Sequence, residues 1–460
     1  MHRNQSRFIK NVKWMILSIL SLSLIALWQP PHQVQAAASA GKLLDSIVNI
    51  SGNMALDKNG ILWRWNDEKY QAKPILDQVK SFSGFNSNTN YAAVKKDGSV
   101  WIGGYFTKNV LNSKTNEFEF TGYTHEEPVK VEGLPPAQAA NSKYALDTSG
   151  NVWAIDSQKL TASKMAGLSN IVSLDSYDYD SALDKDGNVW VWEFTPAGRT
   201  VFKPEIFYTK VKQLSGGVAI DSEWNGYLLS GSIYMYKHGG PNNYPHFNVT
   251  AYSSEIKALS GANVDMGIDF SLLLKKDGSV WSWSFSNDFN RKIQQIKGIS
   301  QVSQISAKAY GGTALHADGT VSSWKVKEGA LLDKPPASVK PVKVTKAIQV
   351  LLNGKTLKLP ADPLLYEGRI YIPVRGLIET LGGTVHYAND KVTLRYGDRY
   401  VELTVWSKDA AIDGKKVTLD APARIEQGNT VIPLRFTGEA LGIEVKWNPT
   451  NQTVELNLPA

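Results

Sequence analysis

The run Asp175-Ser-Tyr-Asp-Tyr-Asp180 is the densest set of potential ligands in this 460-residue chain. Its carboxylates could chelate a hard cation, or line a binding rim with Tyr177 and Tyr179 between them. An ordinary solvated loop is the simpler reading. Asp57-Lys-Asn-Gly60 and Asp184-Lys-Asp-Gly187 open like calcium loops. Their glycine falls at the fourth position rather than the sixth, and a strand pattern follows at once, so they read as hairpin turns. The seven histidines (His2, His32, His125, His238, His246, His316, His386) form no His-x-His or His-x3-His pair, so zinc spacing is missing. There is no cysteine, which removes disulfides, thiolate ligands and thiol nucleophiles together. No nucleophile elbow, phosphate loop or dinucleotide fingerprint occurs. A glycosidase pair cannot be picked from 43 acids without a fold. The chain therefore reads as non-catalytic, with no catalytic residue, metal or cofactor. The candidate partner-binding residues are Tyr177, Asp178, Tyr179 and Asp180, joined by Asn242, Asn243 and Tyr244 from a turn-rich insertion between His238 and His246.

Those residues hang on a repeated element. Ala55-Leu-Asp-Lys-Asn-Gly-Ile-Leu-Trp-Arg-Trp65 recurs as Ala93–Trp101, Ala145–Trp153, Ala182–Trp192, Leu273–Trp283 and Ala314–Trp324, with a weaker copy at Leu228–Tyr236. The marker glycines are Gly60, Gly98, Gly150, Gly187, Gly231, Gly278 and Gly319. Variable gaps around a fixed signature mean identical units joined by loops of different length. Each signature reads as a hairpin, and its Asp-Gly dipeptides suggest type I′ turns. Apolar residues then fall on both faces of the following strand: Leu62 or Val100 on one, Trp63 and Trp65 on the other. A strand buried on both faces lies between two layers. A unit of this size cannot bury its faces alone and must stack on its neighbours. The fold class expected is mainly β: a seven-bladed β-propeller over 42–325, then a small duplicated α+β domain over 347–460.

The wording Asp-Gly-x-Val-Trp-x-Trp resembles the regulator of chromosome condensation repeat family. The resemblance implies the propeller and a binding role. It does not carry over the nucleotide-exchange activity of the nuclear founder, because no residue pattern here maps onto that interface. Secreted bacterial propellers of this family, one of which binds and inhibits β-lactamase, are closer in setting.

The second duplication has an offset of 60. Asn353-Gly354-Lys355 aligns with Asp413-Gly414-Lys415, and Ile372-Pro-Val-Arg375 with Ile432-Pro-Leu-Arg435. In each half, Pro opens a short helix, Val374–Leu381 or Leu434–Leu441, and Gly stops it. Two strands follow. This unit resembles the copper amine oxidase N-terminal-like, or stalk, domain. The resemblance implies a bacterial secreted or wall-associated setting, without the copper and quinone chemistry of a separate domain. Arg375 and Arg435 oppose the helix dipole. They could grip an anion, but pairing one turn on with Glu379 or Glu439 is the preferred reading.

At the start, Arg3, Arg7, Lys10 and Lys13 precede the apolar stretch Trp14–Trp28 and the small-residue site Val34-Gln-Ala36. Residues 1–36 read as a cleaved signal peptide, the only expected contact with a membrane. An uncleaved anchor is the other reading. Those four cations account for much of the formal charge of +7. Residues 326–346, rich in Lys and Pro, read as a solvated linker, with contact to an anionic polymer the other reading. Neither folded region carries the charge bias of a nucleic-acid binder.

The function expected is that of an exported, secreted or cell-wall-associated binding protein whose propeller loops contact a protein or cell-wall polysaccharide. The alternatives are a polysaccharide-active enzyme with carboxylates in the propeller channel, and an inhibitor of an extracellular enzyme.

Overall fold

The computed structural model describes residues 42–84, 90–112, 117–175, 180–192, 204–215, 218–221, 225–228, 246–248, 256–264, 268–284, 292–308, 311–326, 338–426, 428–449 and 451–458. The leader, Gly231 and the rest of the weak copy beyond Leu228 lie outside them. The protein is mainly β, with two helices among the described residues.

Seven antiparallel four-stranded meanders follow one another over 47–76, 79–130, 137–164, 171–208, 211–248, 256–295 and 302–343. Each packs on the next, and the seventh packs on the first. In six of the seven neighbouring pairs the first strands touch, and in the fourth and fifth sheets Ser181–Asp184 meets Val211–Ser215, so the first strands surround the axis. The reason lies in the repeated word. The residue two after each described marker glycine (Leu62, Val100, Val152, Val189, Val280, Val321) is completely buried. Each such burial is worth roughly 1.5–3 kcal/mol. Every first strand also carries a bulge after its first residue, as at Ile47/Asn49 and Val302/Gln304.

The turns differ from the I′ expectation. Gly60 N donates to Asp57 O and Asp57 N to Ile61 O, both at 3.0 Å. Gly60 has φ 87° and Gly98 φ 83°, but Asp97 is not left-handed. The loops are three-residue turns ending in a left-handed glycine. True I′ pairs occur in the C-terminal domain, at Asn353-Gly354 (φ 47°, 78°) and Asp413-Gly414 (49°, 78°).

These glycines also join the sheets. The carbonyls of Gly60, Gly98, Gly150 and Gly187 accept the N–H of Val79, Ala137, Ile171 and Val211, each the first strand residue of the next sheet, at 2.8–3.1 Å. A Cβ on Gly98 would lie 2.7 Å from Pro136 Cβ. Gly319 O accepts from Ile47 N at 3.2 Å. The seventh sheet thus treats the first as its successor.

The segment read as a linker takes part in this closure. Val342–Lys343 is the outermost strand of the seventh sheet. Thr345–Lys346 adds in parallel to Gln71–Ala72 of the first. Val344, between them, is fully buried with Leu44, Trp63, Leu315 and Val321. Leu44 N donates to Val344 O at 2.9 Å, and Lys346 pairs with Asp45 at 2.9 Å. Residues 342–346 therefore clip the two ends of the ring. The apolar Val344 and the lysine's engaged head explain why a basic, proline-rich stretch is not free spacer.

In the C-terminal domain the helices are α1 (Val374–Thr380) and α2 (Leu434–Leu441), each entered through a proline. Left-handed Gly382 and Gly442 follow them. The two entering strands pair antiparallel with Ile372 opposite Ile432, both fully buried, which is where the 60-residue offset predicts the pseudo-twofold. The halves exchange hairpins. Gln349–Leu352 pairs with Thr453–Asn457 of the second half, while Asp409–Ile412 pairs with Arg399–Thr404 after the first. One apolar core unites both halves. Arg375 lies 3.8 Å from Glu379, an exposed pair.

Candidate interaction face of the ring

An antiparallel meander sends its first-to-second and third-to-fourth connections to one face, and the others to the opposite face. The two faces differ in build. Second-to-third connections span four residues in six sheets and three in the fifth. Third-to-fourth connections run from four residues to the seventeen between Leu228 and His246. The second sheet adds long strands there, Val100–Asn112 and Glu117–Lys130. The connections longer than seven residues all leave one face, and the other carries the uniform turns with sheet-to-sheet connections of two to seven residues.

The uniform face is rigid because its carboxylates are spent internally. Asp184 accepts the N–H groups of Asp186 and Asn188 and the Asn188 amide, each at 2.9 Å, and the Trp190 indole at 2.8 Å. Asp147 does the same for Ser149, Asn151 and Trp153. Burial pushes both carboxyls up, but the indole and amide bonds outweigh it and hold them below the usual 3.8. The second and sixth sheets solve the same problem differently. Lys95 and Lys275 stack on Trp101 and Trp281 at 4.7 and 4.4 Å, and Ser99 and Ser279 accept the indole N–H at 3.0 Å. The paired choice, Asp with Asn or Lys with Ser, was a signal present in the repeats.

On the loop face, the ends of the first and seventh sheets meet in a buried polar network. Lys308 Nζ donates to Asp67 (2.6 Å), Asn53 (2.9 Å) and Ser323 (2.7 Å). Gly52 N donates to Ser306 Oγ, and Thr313 Oγ1 to Gly52 O. Burial pushes the Lys308 ammonium pKa down, with the Asp67 carboxylate opposing it. Sequence reasoning missed this network because it joins residues 52–67 to residues 306–323, more than 200 positions away.

Of the sequence candidates, Asp180 is described. Its carboxylate accepts the Tyr144 hydroxyl at 2.8 Å and pairs with Lys143 at 3.5 Å, joining the third and fourth sheets. Beneath it Tyr144 meets Trp192 edge-on at 5.2 Å. Tyr177, Asp178, Tyr179, Asn242, Asn243 and Tyr244 lie outside the described residues. The strand ends flanking them, Leu174 and Ser181 and then Leu228 and His246, belong to adjacent sheets and open to the loop face. Among the described residues no group of three His, Asp or Glu side chains could hold a metal.

The C-terminal domain sits beside the first two sheets. Asp362 bonds Lys69 and Lys73 at 2.7 and 2.8 Å, and Lys358 pairs with Glu126 at 3.2 Å. A cleft of about 800 Å³ lies between, lined by Arg64, Tyr105, His125, Gln349 and Thr356 among others.

A sequence profile of the copper amine oxidase N-terminal domain matches residues 351–456. Comparison with curated proteins gave no match. Solved structures similar to this chain include β-propellers. They include yeast RCC1 (Prp20) bound to Kap60, at 16% identity, 70% of this chain, 91% of that chain and a TM-score of 0.43. Prp20p from Saccharomyces cerevisiae aligns at 14% identity, covering 65% and 76%, with TM-score 0.32. Human WBSCR16 aligns at 15% identity, covering 68% and 92%, with TM-score 0.39.

Proposed function

We propose that this is an exported, non-catalytic interaction protein of the cell envelope or extracellular space. The loop face of the ring contacts a protein or polysaccharide partner, and the C-terminal domain positions the ring. The observation that carries this reading is the asymmetry of the two faces. Variable connections on a rigid ring are the usual arrangement for recognition. The uniform turns, whose carboxylates are tied to their own backbone, leave little to vary.

Substitution in the immobilised full chain tests the reading. One variant replaces Tyr177, Asp178, Tyr179, Asn242, Asn243 and Tyr244 with Ala, and a control replaces Lys58, Lys96 and Lys185 on the turn face. Partner capture from secreted and wall fractions should vanish in the first and survive in the second. Capture unaffected by the loop variant would refute the placement. Cleavage of wall polysaccharide by the wild type would refute the non-catalytic reading.

A further inference from the structure

Trp406 is the most exposed large hydrophobic residue described, at 59%. It lies on the turn between Arg399–Thr404 and Asp409–Ile412. Its backbone is left-handed, φ 64°. For a bulky side chain that conformation costs roughly 1–2 kcal/mol. An indole left in water returns little of that through burial. Strain that stability does not explain points toward function.

The backbone beneath the ring is held in place. Trp406 N donates to Ala423 O and Val405 N to Asp390 O, both at 2.8 Å. The Arg424 guanidinium lies 5.4 Å from the indole centroid and 3.9 Å from the Tyr366 ring, and it pairs with Glu426 at 3.5 Å. The indole stands on a hydrogen-bonded backbone, with a cation on one side, and is open to solvent. The same turn joins Thr404 to Asp409. Both line a cavity of about 570 Å³ with Lys391, Glu402, Lys416 and Thr418. That wall offers hydroxyl, ammonium and carboxylate groups beside Leu403, Ala410, Ala411 and Val417.

We propose that the C-terminal domain is a saccharide-binding module in which a pyranose ring stacks on Trp406 and its linked neighbours enter the adjacent cavity. A pyranose offers a flat C–H face, attracted to the negative face of an indole, and a rim of hydroxyls. Carboxylates and ammonium groups match those hydroxyls as acceptors and donors. An apolar protein surface would need a broader apolar surround. Here Ser407, Lys408 and Asp409 follow the ring directly. The proposal rests on the reading that this domain positions the ring. The two fail separately, because the loop-face variant leaves Trp406 intact.

The test uses the full chain, with chitohexaose and cellohexaose in calorimetry and insoluble chitin, cellulose and purified peptidoglycan in sedimentation. At least one probe should bind. Trp406→Ala should weaken it on the order of tenfold or more, while Trp406→Phe keeps much of the affinity. Glu402→Gln, on the cavity wall, should weaken the same probe. Trp447→Ala, on a half-exposed indole away from the turn, should not. Because Trp406 is exposed and strained, Trp406→Ala should melt no lower than wild type. Failure of every probe to bind wild type overturns the proposal. So does wild-type affinity in both Trp406→Ala and Glu402→Gln.

Discussion

Converting the fourth turn into the sixth tests the internal logic of the ring. Asp184→Lys with Asn188→Ser turns Leu-Asp-Lys-Asp-Gly-Asn-Val-Trp into Leu-Lys-Lys-Asp-Gly-Ser-Val-Trp, the wording at Leu274–Trp281. Asp184→Lys alone removes an acceptor of four hydrogen bonds. At about 1 kcal/mol each it should cost roughly 3–4 kcal/mol, and it leaves the Trp190 N–H unpaired. Asn188→Ser alone loses one bond, about 1 kcal/mol. The geometry open to the double variant is already present in the sixth sheet: Ser279 takes the indole at 3.0 Å, and Asp277 takes the Ser279 N–H at 2.8 Å. Asp186 is in place to act as Asp277 does. The introduced lysine can stack on Trp190 as Lys275 does on Trp281. The double variant should therefore recover about 2 kcal/mol over the sum of the singles, within the range for contacting pairs. Urea unfolding followed by tryptophan fluorescence measures the cycle. Additive effects, within about 0.5 kcal/mol, would refute the claim that the two turn types are alternative solutions to one slot.

Gly103→Ala would press a Cβ against the Tyr91 hydroxyl and place it 2.5 Å from the ring. The crowding should lower stability by roughly 1–3 kcal/mol, read as a fall in the urea midpoint. Lys308→Ala should cost about 3–5 kcal/mol by leaving Asp67 buried without its cation; a loss under about 1 kcal/mol would show the network to be idle. The depressed carboxyls of Asp147 and Asp184 give a pH dependence. Their bonds stabilise fully above the usual 3.8 and are lost as pH falls through their lower folded values. Melting temperature should therefore drop below about pH 4, and less steeply in Asp147→Asn/Asp184→Asn.

The repeated word made the ring legible, because burial on both faces of Leu62, Val100 and their counterparts requires stacked sheets. The offset of 60 located both helices and aligned Ile372 with Ile432, which the structure pairs. Turn type was misread because Asp-Gly alone does not fix loop length; the same three-residue turn forms whether Asp, Lys or His stands three residues before the glycine. The clip was misread because composition describes Lys343 and Lys346 but not the burial of Val344 between them. Trp406 left no signal, since exposure and positive φ follow no period. The loop-face candidates came from residue type, and the face itself from connection lengths, which the marker glycines already implied.

The account depends on the seventh sheet meeting the first. Asn49 Oδ1 accepts from Gln304 Nε2 at 2.7 Å across that junction. The chain lacks cysteine, so Asn49→Cys/Gln304→Cys gives one clean thiol pair for a short bis-maleimide cross-linker. The closed ring predicts near-complete intramolecular linkage in the folded protein, seen as one cross-linked peptide by mass spectrometry and lost in urea. Thiols that remain free in the folded chain, or that link only between molecules, would contradict it.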